Sequence, residues 1–206
     1  LAAGASLRVS CPEINNGPVQ IVSNQNIVAA ERVIYNINGF PISFSEMMGL
    51  PDGQLNTTYW LPWYNNVDLD TQLRFGNVSN AQATVHVFIG INEAAGSPFV
   101  LPVGASKRVS FTAVNNGPVK IVSDQNIVAA ERVIYKIQGV PVSFSEMMAL
   151  PDSLLDTTYV MPWYNNKDLD TQLRFGNVSS SPATVHVFIG EAEMAGSPFV
   201  LPVGAS

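Results

Sequence analysis

Two stretches of the sequence set oxygen donors at alternate positions: Asn66, Asp68 and Asp70, and again Asn166, Asp168 and Asp170. Calcium loops use such spacing because a tight turn folds alternate side chains onto one hard cation. The glycine and closing bidentate glutamate of the EF-hand are missing, and Asn and Asp are also ordinary turn residues. The turn is the plainer reading, with calcium as its alternative; no other cofactor is indicated. Just before each stretch, Trp63 and Tyr64, repeated as Trp163 and Tyr164, put flat aromatics beside amides. Exposed, such a cluster stacks on and hydrogen-bonds a sugar ring. Packed in a core or at a contact between repeats, the same rings are structural.

The remaining candidates are sparser. His86 and His186 sit mid-strand with no second histidine or cysteine nearby, so neither builds a metal cluster. Glu31-Arg32 and Glu131-Arg132 interrupt apolar strands. Adjacent strand residues point to opposite faces, so the two cannot pair with each other, and at least one is expected to meet a cross-strand partner, for example Arg74 facing a glutamate. A structural ion pair explains such charges more often than a catalytic carboxylate does. Asn56, Asn77 and Asn177 head glycan-acceptor triplets, a weak three-residue pattern. There is no Gly-x-Ser-x-Gly elbow, Cys/His pair, His-Glu-x-x-His or phosphate-cradling glycine loop. The chain reads as a non-enzyme.

The elements that must position these residues are strands, because the apolar pattern has period two almost throughout. Thr84 to Ile89 carries Val85, Val87 and Ile89 on one face, and Gln72 to Val78 turns Leu73 and Phe75 inward. Arg8 to Cys11, Val19 to Val22, Ile27 to Tyr35, Phe40 to Phe44, Thr57 to Leu61 and Ser97 to Leu101 complete the set. Turn clusters of Asn, Gly, Pro and Asp separate them at the spacing of an antiparallel sandwich. Only Ser43 to Leu50 has helical composition, with Pro51 as its stop. The expected fold is all-β: two tandem immunoglobulin-like antiparallel β-sandwich repeats of 100 residues.

The repeat is explicit. Residues 1–100 align without a gap on 101–200 and differ at 26 positions, so 74 of 100 are identical; the last six residues repeat Leu101 to Ser106. One division makes 1–100 and 101–200 the repeats, with 201–206 opening a third copy. In the other phase 57–156 is a complete domain flanked by partial ones, 1–56 and 157–206. That phase implies completion by strand exchange between neighbouring chains. The overhang of six reads as a window cut from a longer array, or as a unit completed by its neighbours.

Composition excludes several classes. Apolar residues at 47% rule out disorder, and 16 acidic against 10 basic residues give a net charge of −6 with no basic cluster. Nucleic acid is therefore a poor partner. No apolar run approaches the roughly 18 residues of a membrane span, and Leu1 to Ser10 has no signal-peptide pattern. Cys11 is single and stands where Phe111 stands in the second copy, which points to a buried apolar site.

The run Ser23-Asn-Gln-Asn-Ile-Val-Ala-Ala-Glu-Arg-Val-Ile-Tyr35, the run from Thr71 to Ile89 and the run from Phe99 to Arg108 resemble the tandem β-sandwich repeats of large secreted surface proteins in filamentous bacteria, green non-sulfur bacteria among them. The resemblance spans the whole repeat and names no active site. It implies an extracellular or cell-surface protein of many repeats. The expected role is a structural one: an extracellular filament, stalk or sheath whose modules meet identical repeats, or copies of the chain, head to tail. The alternative is a cell-surface adhesion or carbohydrate-binding module whose partners are surface glycans.

Overall fold

A computed structural model describes all 206 residues. Apart from two short 3-10 turns, Asp52–Gln54 and Asp152–Leu154, every regular element is a β-strand. All strand pairs are antiparallel. No helix is long and apolar enough to cross a membrane.

The chain opens its regular structure with a hairpin of β1 (Ala30–Ile37) and β2 (Phe40–Met48). The stretch from Ser43 that reads as helical by composition is therefore strand. Its cause is the turn: Asn38 and Gly39 both hold positive φ, 51° and 83°, as the tight turns that match strand twist require. The resulting register sets Arg32 opposite Glu46, and cross-strand pairing outweighs the helix propensity of Glu46, Met47 and Met48.

The strands that follow build one core: β3 (Asn56–Leu61), β4 (Tyr64–Asn65), β5 (Asp70–Asn77), β6 (Ala83–Ile89), β7 (Asn92–Glu93), β8 (Phe99–Leu101), β9 (Ser106–Val109) and β10 (Asn115–Asn116). They are joined by β11 (Val119–Ile137), β12 (Val140–Met148) and β13 (Leu150–Pro151). The 19-residue β11 is the centre of this body. Its first half, Val119 to Ser123, pairs with β6, and Val119 to Val122 also pairs with β3. Its second half pairs with β5 over Ile127 to Ile134 and with β12 over Ala130 to Ile137. The inward side chains of both halves merge in a single cluster of 15 buried residues running from Tyr59 to Ala149. The core thus draws on both copies of the repeat.

The ends of the chain lack that completion. Residues 1–29 contain no strand before Ala30, and 157–206 form only two small pairs. These are β14 (Ala183–Val185) with β17 (Phe199–Leu201), and β15 (Phe188–Ile189) with β16 (Ala192–Glu193). Cys11 lies in the first of these regions and is exposed, against expectation. The reason is visible at its counterpart. Phe111 follows β9, which lies along β5, and its ring packs 5.9 Å from that of Tyr64; residues 6–11 have no such strand to lie on.

Candidate functional site

The local candidates resolve first. Asn66, Asp68 and Asp70 do not converge on a common point. The Asn66 amide donates to the Ser110 hydroxyl (2.8 Å) and the Phe111 carbonyl, Asp68 accepts from the Asn65 amide, and Asp70 pairs with Lys136 at 3.1 Å. In the second copy, Asp168 accepts from Asn165, Asn166 from the Thr171 N–H, and Asp170 from Gln172. The turn itself is made by Asn65, whose side-chain oxygen accepts from the backbone N–H groups of Val67 and Asp68. No group of three or more His, Cys, Asp or Glu residues is placed to hold a metal ion.

Tyr64 is fully buried, its hydroxyl donating to the Thr71 carbonyl and accepting from Phe111 N–H. It has no free face for a sugar, because the turn it anchors closes the core. Trp63 is half-buried, with the Arg174 guanidinium 4.1 Å above its ring. Trp163 is exposed and Tyr164 half-buried. Among the glycan-acceptor triplets, Asn77 and Asn177 are buried and each amide donates to three carbonyls. Their side-chain nitrogens are thereby committed to hydrogen bonds inside the fold. Asn56 is half-buried and its amide donates to the Ser153 hydroxyl.

The histidines have a partner that sequence spacing did not single out. His86 Nδ1 lies 2.7 Å from Glu93, and the Ser97 hydroxyl donates to the same carboxylate oxygen at 2.8 Å. The second copy repeats both distances at His186, Glu193 and Ser197. The hydrogen bond from the histidine, helped by that from the serine, holds each glutamate below the usual carboxylate range. The histidine and the serine each bond to the carboxylate between them, which ties Ser97 to the β6–β7 turn. That contact was legible only as Glu at +7 across a tight hairpin.

Arg74 does not face a glutamate across the strand. Pairing puts it opposite Ala130 and Arg108 on the outer face, while Glu131 lies opposite Leu73 on the inner one. Burial, then the neighbouring Arg132 and Arg108 charges, pull the Arg74 pKa down. The ion pair on this face is Arg132 with Glu146, 2.6 Å. Glu131 is buried with neither carboxylate oxygen hydrogen-bonded, and burial pushes its pKa up to about 8.

What the structure does bring together is the seam between copies. Strand β11, from the second copy, fills the gap between β3, β5 and β6 of the first. The Tyr59 hydroxyl donates to the Ile127 carbonyl (2.7 Å) at the centre of this seam. Two further contacts tie the central body, whose core runs from Tyr59 to Ala149, to the segments before and after it. A Cβ added at Gly76 would lie 2.9 Å from Pro18, and one at Gly176 would lie 2.9 Å from Pro118. Only glycine admits so close an approach, and the same contact recurs one repeat later. The two hairpins also stack: the Ser43 and Ser45 hydroxyls accept from the backbone N–H groups of Phe144 and Glu146, and Tyr35 meets Phe144 edge-on at 5.5 Å. A cleft of about 290 Å³ opens at the junction, between Trp60 and Lys120 on one side and Val178 and Val203 on the other. Lys120 stands 5.1 Å over the Trp60 ring, and Phe88 is the second aromatic of the lining.

No known protein family and no curated protein matches the sequence. One solved structure, that of Thermotoga maritima 1070, is similar over 46% of this chain and 92% of its own, at 8% identity and a TM-score of 0.33. A likeness that slight carries no argument about this chain.

Proposed function

We propose that the chain is a structural, non-catalytic component of an extracellular filament, stalk or sheath, built from immunoglobulin-like β-sandwich modules in series. The observation that carries this reading is the directional contact made twice, Pro18 on Gly76 and Pro118 on Gly176. Each contact joins two different surfaces, and a heterologous contact that does not close on itself generates a line of subunits. The hairpin stack has the same character. Ser45 is buried against the second hairpin while its counterpart Ser145 is exposed, and Phe144 is buried while Phe44 is 61% exposed. One further unit at either end would repeat the stack. Charged residues at 13% leave little like-charge repulsion to oppose it.

Electron microscopy of the purified chain tests the proposal. Fibres with an axial repeat equal to one module are the expected result, and dispersed single particles at high protein concentration would reject it.

A further inference from the structure

The structure contains a filled seam and the two unmated halves of a second one. The donor half is 19–37, which matches β11 at 16 of 19 positions, the differences being Gln20, Asn24 and Asn36 for Lys120, Asp124 and Lys136. The acceptor half is 156–161, 170–177 and 183–189. Its second and third segments are identical to β5 and β6, and its first differs from β3 only at Asp156, Val160 and Met161. Both halves are apolar and open to solvent: Ile21 is 60% and Ile27 51% exposed, and Tyr159 is 56% exposed, where Ile121, Ile127 and Tyr59 are at 0%.

The acceptor half is already shaped. Asp156 N–H donates to the Tyr159 hydroxyl at 3.0 Å, as Asn56 N–H does to Tyr59. The Asn177 amide holds the same three carbonyl positions as Asn77. Phe175 meets Phe199 at 5.8 Å, against 5.7 Å for Phe75 and Phe99. What is missing is the strand that β11 supplies to the first copy, and a site formed in advance spends little on ordering when it binds.

We infer that a second copy of this chain supplies that strand: residues 19–37 of one molecule insert into 156–161, 170–177 and 183–189 of another. The inference rests on the serial reading proposed above and names its joint. Strand addition of this kind takes affinity from backbone pairing and specificity from alternate side-chain pockets. Translated by one repeat, the register of β11 places Val22 opposite Thr158, Val28 opposite Gly176, Glu31 opposite Leu173 and Arg32 opposite Gln172. The substitutions are compatible with it. Lys120 over Trp60 becomes Gln20 beside Val160, so cation and ring leave together. Asp124, which accepts from Thr84 N–H at 2.8 Å, becomes Asn24, still an acceptor. The Lys136–Asp70 ion pair becomes Asn36 with Asp170, a change that adds no like-charge contact.

Complementary variants provide the test. Ile27→Asp ruins the donor and Leu173→Asp the acceptor, both outside the core of 59–149. Sedimentation of the unmodified chain should show a concentration-dependent ladder of species. Each variant alone should be monomeric, and an equimolar mixture should give a dimer and nothing larger. A mixture that stays monomeric overturns the inference. Single variants that still form fibres also overturn it while leaving the serial reading intact. An unmodified chain that stays monomeric at every concentration overturns both. Register is checked separately in a Cys11→Ser background. Val22→Cys with Thr158→Cys should yield an oxidised covalent ladder, because cross-strand neighbours lie near disulfide distance. Ser23→Cys with Thr158→Cys, on opposite faces, should not. Equal ladders, or none, from the two pairs defeat the proposed register.

Discussion

Ile27 and Ile127 sit in the same sequence, Asn-Ile-Val-Ala-Ala-Glu-Arg, and in opposite surroundings: one is half exposed, the other sealed in the core. The same holds for Val19 and Val119, at 76% and 0% exposure. The hairpins that follow are nearly identical in register and turn, so the difference does not originate locally. It originates in the sheet that β11 finds and residues 19–37 do not. Strand pairing is a long-range event, and a strand without its ladder leaves both backbone and apolar face unsatisfied.

Substitutions at paired positions break this comparison in graded ways. The largest effect is expected at Ile127→Asp, which buries an unpaired charge at the seam and should cost more than about 4 kcal/mol, enough to unfold the central body. Ile27→Asp in dilute chain should change stability by about 0.5 kcal/mol or less. Urea unfolding of the two variants side by side measures the contrast.

Glu131 comes next. The folded pKa of Glu131, about 8, lies above the ordinary 4.5, so the folded state holds a proton that the unfolded chain releases. The stability this contributes is complete below about 4.5 and is lost as the pH rises through about 8. Glu131→Gln removes the titration and should stabilise the body above pH 7, on the order of a few kcal/mol, with little change near pH 4. Unfolding midpoints of the unmodified chain and the variant across pH 4 to 9 measure the effect.

Tyr59→Phe should cost about 1–2 kcal/mol by orphaning the Ile127 carbonyl and the Asn56 N–H. Tyr159→Phe should cost a small fraction of that in the monomer. The smallest contrast sharpens the comparison by its absence. Glu93 and Glu193 have matching histidine and serine partners at matching distances. Their carboxylates should therefore titrate together in an NMR experiment, both below the usual range. Divergent titrations would mean that the β6–β7 turn senses its neighbouring unit.

Most strand positions were legible because each carries its own alternation, as in β6, where alternate residues from Ala83 to Ile89 are buried. The tight turn at Asn38-Gly39 was legible too, while the strand it imposes on Ser43 to Met48 was masked by helical composition. Inner and outer faces at Glu131 and Arg74 were not legible. Which neighbour a charged residue meets depends on the register between β5 and β11, set some 50 residues apart in sequence. The His86–Glu93–Ser97 cluster escaped notice because its residues lie around a hairpin rather than in a recognisable motif. Tyr64 and Asn77 looked like surface chemistry, since burial of a polar tip depends on the carbonyls that other strands bring to it.

By itself, then, the sequence determined the all-β class, the period of 100 and the turns, all of which follow from residue periodicity and local backbone preference. Only the tertiary structure decided that the core closes across the two copies, that Glu131 faces inward without a partner, and that 19–37 and 156–189 remain open. Those outcomes depend on which distant strand occupies each edge, and two nearly identical segments have nearly the same propensity but not the same neighbour.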